Sequence, residues 1–294
     1  MFGLDLWFVY SVLSALSGGL YIFTHKVAVE RGYEGVLFNT ASSVISAAVL
    51  ITMTGFFAGY ELLTWIALLF VVINGTTYMI GNVVRYETLK CIDTAIFYPL
   101  YKTFAPVLAI MVGVLFLSET FSASEWYGIA LSLLVPLLLL SKKEDERQKN
   151  LKRGLILLLV ASLLAAIAAT ALKLGTNVTD NEWMFASVTH VTLLFVGLGI
   201  MLRKQSVPEI IAGSTILKNA QYQWLLNFSG FMHAAAFIFF VLALNAGTLS
   251  LVYTIQSLYI LIPIVLSIIF YNEHWNLRKV IAIVLSIVAL WFLQ

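Results

Sequence analysis

Apolar runs long enough to cross a bilayer recur along the whole chain. Ten can be counted, at about 4–28, 34–57, 62–86, 94–117, 124–140, 154–174, 182–202, 222–245, 248–271 and 277–293. A spanning helix needs about 20 predominantly apolar residues. Ten of them use up most of the 294 residues, leaving no soluble domain of useful size. Charged residues are only 11% of the chain, against about 25% in soluble domains. The expected fold is therefore an all-α membrane protein with ten transmembrane helices in a lipid bilayer. The first run lacks a basic leader and is long enough to span, so a cleaved signal peptide is not expected. Cys91 is the one cysteine, and no CxxC, HExxH, Walker loop or GxGxxG is present. No cofactor, metal or nucleic-acid partner is expected.

The placement of charge orients the chain. Lys26 and Arg31 follow the first run, and Arg85 and Lys90 lie between the third and fourth. Lys142, Lys143, Arg147, Lys149, Lys152 and Arg153 separate the fifth from the sixth. Arg203, Lys204 and Lys218 come between the seventh and eighth, and Arg278 and Lys279 between the ninth and tenth. All are odd-numbered connections, so all face one side. The positive-inside rule makes that side cytoplasmic. Both termini are then expected outside, in a bacterial-type inner membrane.

The polar segment 141–153, SKKEDERQKNLKR, divides the chain into a first set of five helices, 1–140, and a second, 154–294. The halves resemble each other. At one offset, Thr94 aligns with Thr248, Lys102 with Gln256 and Glu119 with Glu273. A weaker match pairs Lys26 with Lys173. Five is odd, so the second set must be inserted upside down, giving two inverted five-helix repeats. Secondary transporters commonly use this architecture, with the substrate near the midplane between the halves. Glu119 and Glu273 stand at helix ends, where a carboxylate can satisfy the free N–H groups of the next helix.

The ends of the two halves, PVLAIMVGVLFLSETFSASEWYGIAL and PIVLSIIFYNEHWNLRKVIAIVL, share a Pro, an apolar run, a Glu, a short polar stretch and a closing helix. In this the chain resembles the drug/metabolite transporter superfamily in its ten-helix EamA-type form. Lys26 and Lys173, ending the first helix of each half, are similar to that family's pattern too. The resemblance implies a carrier for amino acids, sugars, nucleotide sugars or drugs. It also implies cytoplasmic termini, the reverse of what the loop charges indicate.

Polar residues inside the runs mark the expected site. Asn74, Tyr78 and Asn82 are spaced by four on the third helix and share a face. Tyr98 and Lys102 do the same on the fourth. Lys102 lies about eight residues into its helix, roughly 12 Å deep at 1.5 Å per residue. A lysine there costs roughly 2.5–3.5 kcal/mol on insertion scales, and no Asp or Glu lies mid-span to pair with it. The ninth helix offers Tyr253, Gln256 and Tyr259, the eighth Asn227 and His233, and the seventh His190. The first carries Ser14, Gly18, Tyr21 and His25 at helical spacing. The expected substrate-binding set is Lys102, Tyr78, Asn82, Tyr98, Asn74, Gln256, Tyr253 and His233.

These features point to a non-enzymatic secondary carrier. It would move a small polar or anionic metabolite, amino-acid-like or sugar-like, through a central cavity by alternating access. Ten helices suffice for a monomer. An exporter of hydrophobic cations is the alternative, which Lys102 would oppose by repulsion. An intramembrane enzyme would have only His190 and His233 to draw on.

Overall fold

The computed structural model describes residues 5–31, 33, 35–92, 94–140, 150–204, 219–271 and 276–294. Among them are ten helices and no strand. They are α1 (Leu6–Glu30), α2 (Gly35–Phe57), α3 (Trp65–Leu89), α4 (Thr94–Phe116), α5 (Ala123–Leu138), α6 (Leu151–Thr176), α7 (Glu182–Lys204) and α8 (Ala220–Ala246), followed by α9 and α10. The helix α9 is broken, with Leu249–Ser257 and Leu261–Tyr271 joined by a 3-10 turn at Leu258–Ile260; α10 is Leu277–Leu293. Eight helices are long and apolar enough to cross a membrane; α5, with 16 residues, and α10, with 17, are shorter. Glu273, Lys218 and residues 141–149 of the linker lie outside the described residues, as does the side chain of Thr94.

Helix ends follow local chemistry. Thr64 caps α3, Asn150 caps α6, Asn219 caps α8 and Asn276 caps α10, each accepting a bond from a first-turn N–H. The Asn150 cap starts α6 three residues before the end of the expected linker. A full capping box closes α5, with Ser122 and Glu125 bonding each other's backbone N–H.

The two sets of five interlock. The most extensive interfaces are α1 on α8 and α3 on α6, and α5 packs mainly on α10. Small residues allow this closeness, as expected where lipid supplies no hydrophobic drive between helices. Helix α6 buries Ala161, Ser162, Ala166, Ala168, Ala169 and Ala171. An apolar groove of about 380 Å³ between α3, α4 and α6 is lined by residues such as Phe70, Leu108 and Leu163. Exposed Met111, Phe116 and Ile167 on its wall place it on the lipid face.

Candidate functional site

Lys102 stands on α4 four residues before Pro106. Proline has no N–H to offer the carbonyl four residues back, so Pro106 leaves the Lys102 carbonyl without its helical donor. The same spacing recurs on α9, where Pro263 follows Tyr259 by four and the helix tightens into its 3-10 turn. These two weakened points meet. The Lys102 ammonium lies 3.5 Å from the centroid of the Tyr259 ring and 5.8 Å from that of Tyr101. Lys102 is buried, with 8% of its surface exposed. Glu87 pairs with Lys90 at 2.8 Å. Among the described residues, no carboxylate forms a salt bridge with Lys102.

A second cation joins it. Helix α3 continues to Leu89, a turn beyond Arg85, so Arg85 belongs to the helix and leaves the loop tally. Eleven residues separate Asn74 from Arg85, close to three turns. Arg85 therefore continues the Asn74, Tyr78, Asn82 stripe. Its guanidinium carbon is 6.0 Å from the Tyr101 ring centroid, and Tyr78, Tyr98 and Tyr259 are also among its neighbours. Sequence reading missed Arg85 as a site residue, although the stripe contained the clue. Tyr78, Arg85, Tyr98, Tyr101 and Tyr259 keep partial exposure despite this crowding.

The remaining expected residues divide by role. Tyr253 lies near Tyr78, Tyr101 and Tyr259, and packs against Phe240 at 6.1 Å. Tyr98 lies edge-on to Phe97 at 5.2 Å. Asn82 is buried beside Tyr78. Gln256 donates to Ser14 at 2.7 Å, and Ser14 donates to the Ala236 carbonyl at 2.6 Å, tying α9 to α1 and α8. The Gln256 carbonyl oxygen is buried without a partner among the described residues. Asn74 gives its amide to the Ala168 carbonyl at 2.7 Å, a strut between α3 and α6. His233 stacks on Tyr21 at 4.4 Å and lies 4.8 Å from His190 and 6.4 Å from Tyr78. Asn227 is exposed and turns away from this group. No cluster of three or more His, Cys, Asp or Glu among the described residues is arranged to hold a metal.

Glu119 also caps a helix, but not the one expected. The capping box already serves α5, and the Glu119 carboxylate instead accepts from the N–H groups of Leu249, at 2.6 Å, and Ser250, at 3.1 Å. These begin α9 in the other half. Lys173 grips the same corner, donating to the carbonyls of Leu244 at 2.6 Å and Gly247 at 2.9 Å.

Known proteins give two points of comparison. A solved chain described as "Crystal structure of protein" superposes with a TM-score of 0.71 at 12% identity, covering 95% of both chains, a likeness of fold alone. No curated protein matches the sequence. The family described as "Sugar transport protein" matches residues 12–292. This multi-pass membrane protein therefore belongs to the sugar transport protein family, a family of membrane transporters.

Proposed function

We propose that the protein is a secondary carrier that moves a small, polar, sugar-like solute by alternating access around Lys102. One observation carries this reading. A buried ammonium with no carboxylate partner among the described residues rests on an aromatic ring of the broken helix from the other half. Intramembrane charges of this kind mark substrate or ion paths, and interrupted helices at a repeat interface form transporter sites. A cavity here would offer tyrosine rings to a sugar's C–H faces and amides and hydroxyls to its oxygens. An exporter of hydrophobic cations is disfavoured, since Arg85 and Lys102 would repel its cargo.

The ten-helix EamA-type arrangement, with halves 1–140 and 154–294 as inverted repeats, accompanies this reading. Packing supports it. Advancing every helix by five exchanges α1–α8 with α6–α3, and α2–α8 with α7–α3. It also exchanges α4–α6 with α9–α1, and α2–α7 and α5–α10 map onto themselves; all are observed interfaces. Lys173 closes on the end of α8, whereas Lys26 reaches Ser267 on α9 at 2.8 Å. Ten helices suffice for a functional monomer.

Proteoliposomes loaded with a pool of monosaccharides and their derivatives should accumulate a labelled pool member by counterflow. Empty-vesicle rates for every compound would defeat the carrier reading. Topology has its own test. In a Cys91→Ser background, a cysteine placed within 141–153 should resist an impermeant thiol reagent in intact cells and react after lysis. Reaction in intact cells would overturn the assignment of both termini to the outside.

A further inference from the structure

We infer that the solute is an acidic monosaccharide, a sugar bearing a carboxylate or a phosphate, selected by Arg85 and Lys102 together. This rests on the carrier reading and adds the charge of the cargo. Both cations lie within 6.0 Å of the Tyr101 ring centroid, so they stand at most about 12 Å apart. Among the described residues neither makes an ion pair; the salt bridges found are Lys26–Glu30 and Lys90–Glu87. Glu87, the described acidic residue nearest Arg85 in sequence, pairs with Lys90 at 2.8 Å. Like charges in a low-dielectric interior repel, so the pair calls for an anion from outside.

The donor balance points the same way. Sugar hydroxyls both donate and accept, and a site for a neutral sugar needs acceptors. Here two donor-only groups, the guanidinium and the ammonium, stand beside tyrosine hydroxyls that both donate and accept. Carboxylates and phosphates are acceptors only, and the arginine fork matches them with two parallel bonds. Around that charge, the rings of Tyr101 and Tyr259 offer faces to the sugar body.

Full-length protein in proteoliposomes separates the alternatives. Counterflow is run with labelled D-glucose, D-glucuronate and D-glucose 6-phosphate. At least one acidic sugar should exchange ten-fold or more faster than glucose, the glucuronate arm identifying a sugar acid and the phosphate arm a sugar phosphate. Arg85→Gln should raise the KM for that sugar at least ten-fold, with Arg85→Lys intermediate. A ligand-induced rise in the melting temperature of detergent-solubilised wild type, larger for the acidic sugar than for glucose, gives a readout that needs no variant to fold. Faster exchange of glucose than of either acidic sugar would overturn this inference and leave the carrier intact. Failure of all three to exchange, together with failure of the wider monosaccharide pool, would remove the carrier reading itself.

Discussion

Lys102→Met should reduce uptake of the carried solute by roughly thirty-fold or more while the protein still folds and inserts. Methionine keeps the length of the side chain and deletes the charge. Removing one partner of a desolvated charge contact costs about 2–5 kcal/mol of binding, and every 1.4 kcal/mol is ten-fold. The folding side nearly cancels. The variant loses a cation over the Tyr259 ring, worth about 2 kcal/mol when desolvated. It also escapes the insertion cost of a mid-span lysine, roughly 2.5–3.5 kcal/mol. Expression and melting temperature should therefore stay close to wild type, separating a failed site from a failed fold. Lys102→Arg should retain part of the activity, because the charge persists with altered geometry. Uptake per folded molecule, scored by size-exclusion yield, checks both. A Lys102→Met protein that transports at the wild-type rate would sink the role assigned to this residue.

The helices were legible because a bilayer forces the chain to satisfy its own backbone bonds, and an apolar run of fixed length can do so only as a helix. Expected and observed ends differ by a few residues. Where they differ most in meaning, at Arg85, the physical reason is clear. A cation near the end of an apolar run can be read as a loop charge at the membrane surface. Whether it instead turns inward depends on its helical face and on what waits there. The face was readable from the spacing to Asn74; the four tyrosines from three helices were not. Meeting points between distant helices leave no local pattern. The contact of Lys102 with Tyr259 is of this kind, although the proline four residues beyond each was in plain view.

Glu119 shows the same limit. Its position at a helix end correctly suggested a partner among free N–H groups, but chain order alone suggested the wrong helix. The Ser122-x-x-Glu125 pattern was the missed clue, since it leaves α5 with no need of another cap. Asn74 illustrates a different ambiguity. A buried asparagine on the polar face of a span can serve a solute, a neighbouring helix or both: the Asn74 NH₂ donates to Ala168, a bond worth about 0.6 kcal/mol in a bilayer, while its side-chain oxygen has no partner among the described residues.

Glu119→Gln should lower the melting temperature in detergent by roughly 5–10 °C. The carboxylate holds the first two N–H groups of α9, from Leu249 and Ser250, and also accepts from the Ser250 hydroxyl. Thr248 accepts from the third, Leu251, so the whole first turn is satisfied. An anion at this end also complements the helix dipole, as Lys173 does at the carbonyl end of α8. Glutamine keeps the shape but brings an NH₂ group where only acceptors fit. At least one N–H is orphaned, and hydrogen bonds to a charged group are lost at about 1.5–3 kcal/mol each. Gly113 supplies an independent check. A Cβ at that position would fall on the Glu119 carboxylate and the Ser250 hydroxyl, so Gly113→Ala should cause a similar loss without touching any charge. Combined, the two substitutions should cost little more than either alone, because both break one contact. Melting curves of the two single variants and the double decide it. Additive losses, or a Glu119→Gln protein as stable as wild type, would mean that the α8–α9 corner holds its shape without the carboxylate.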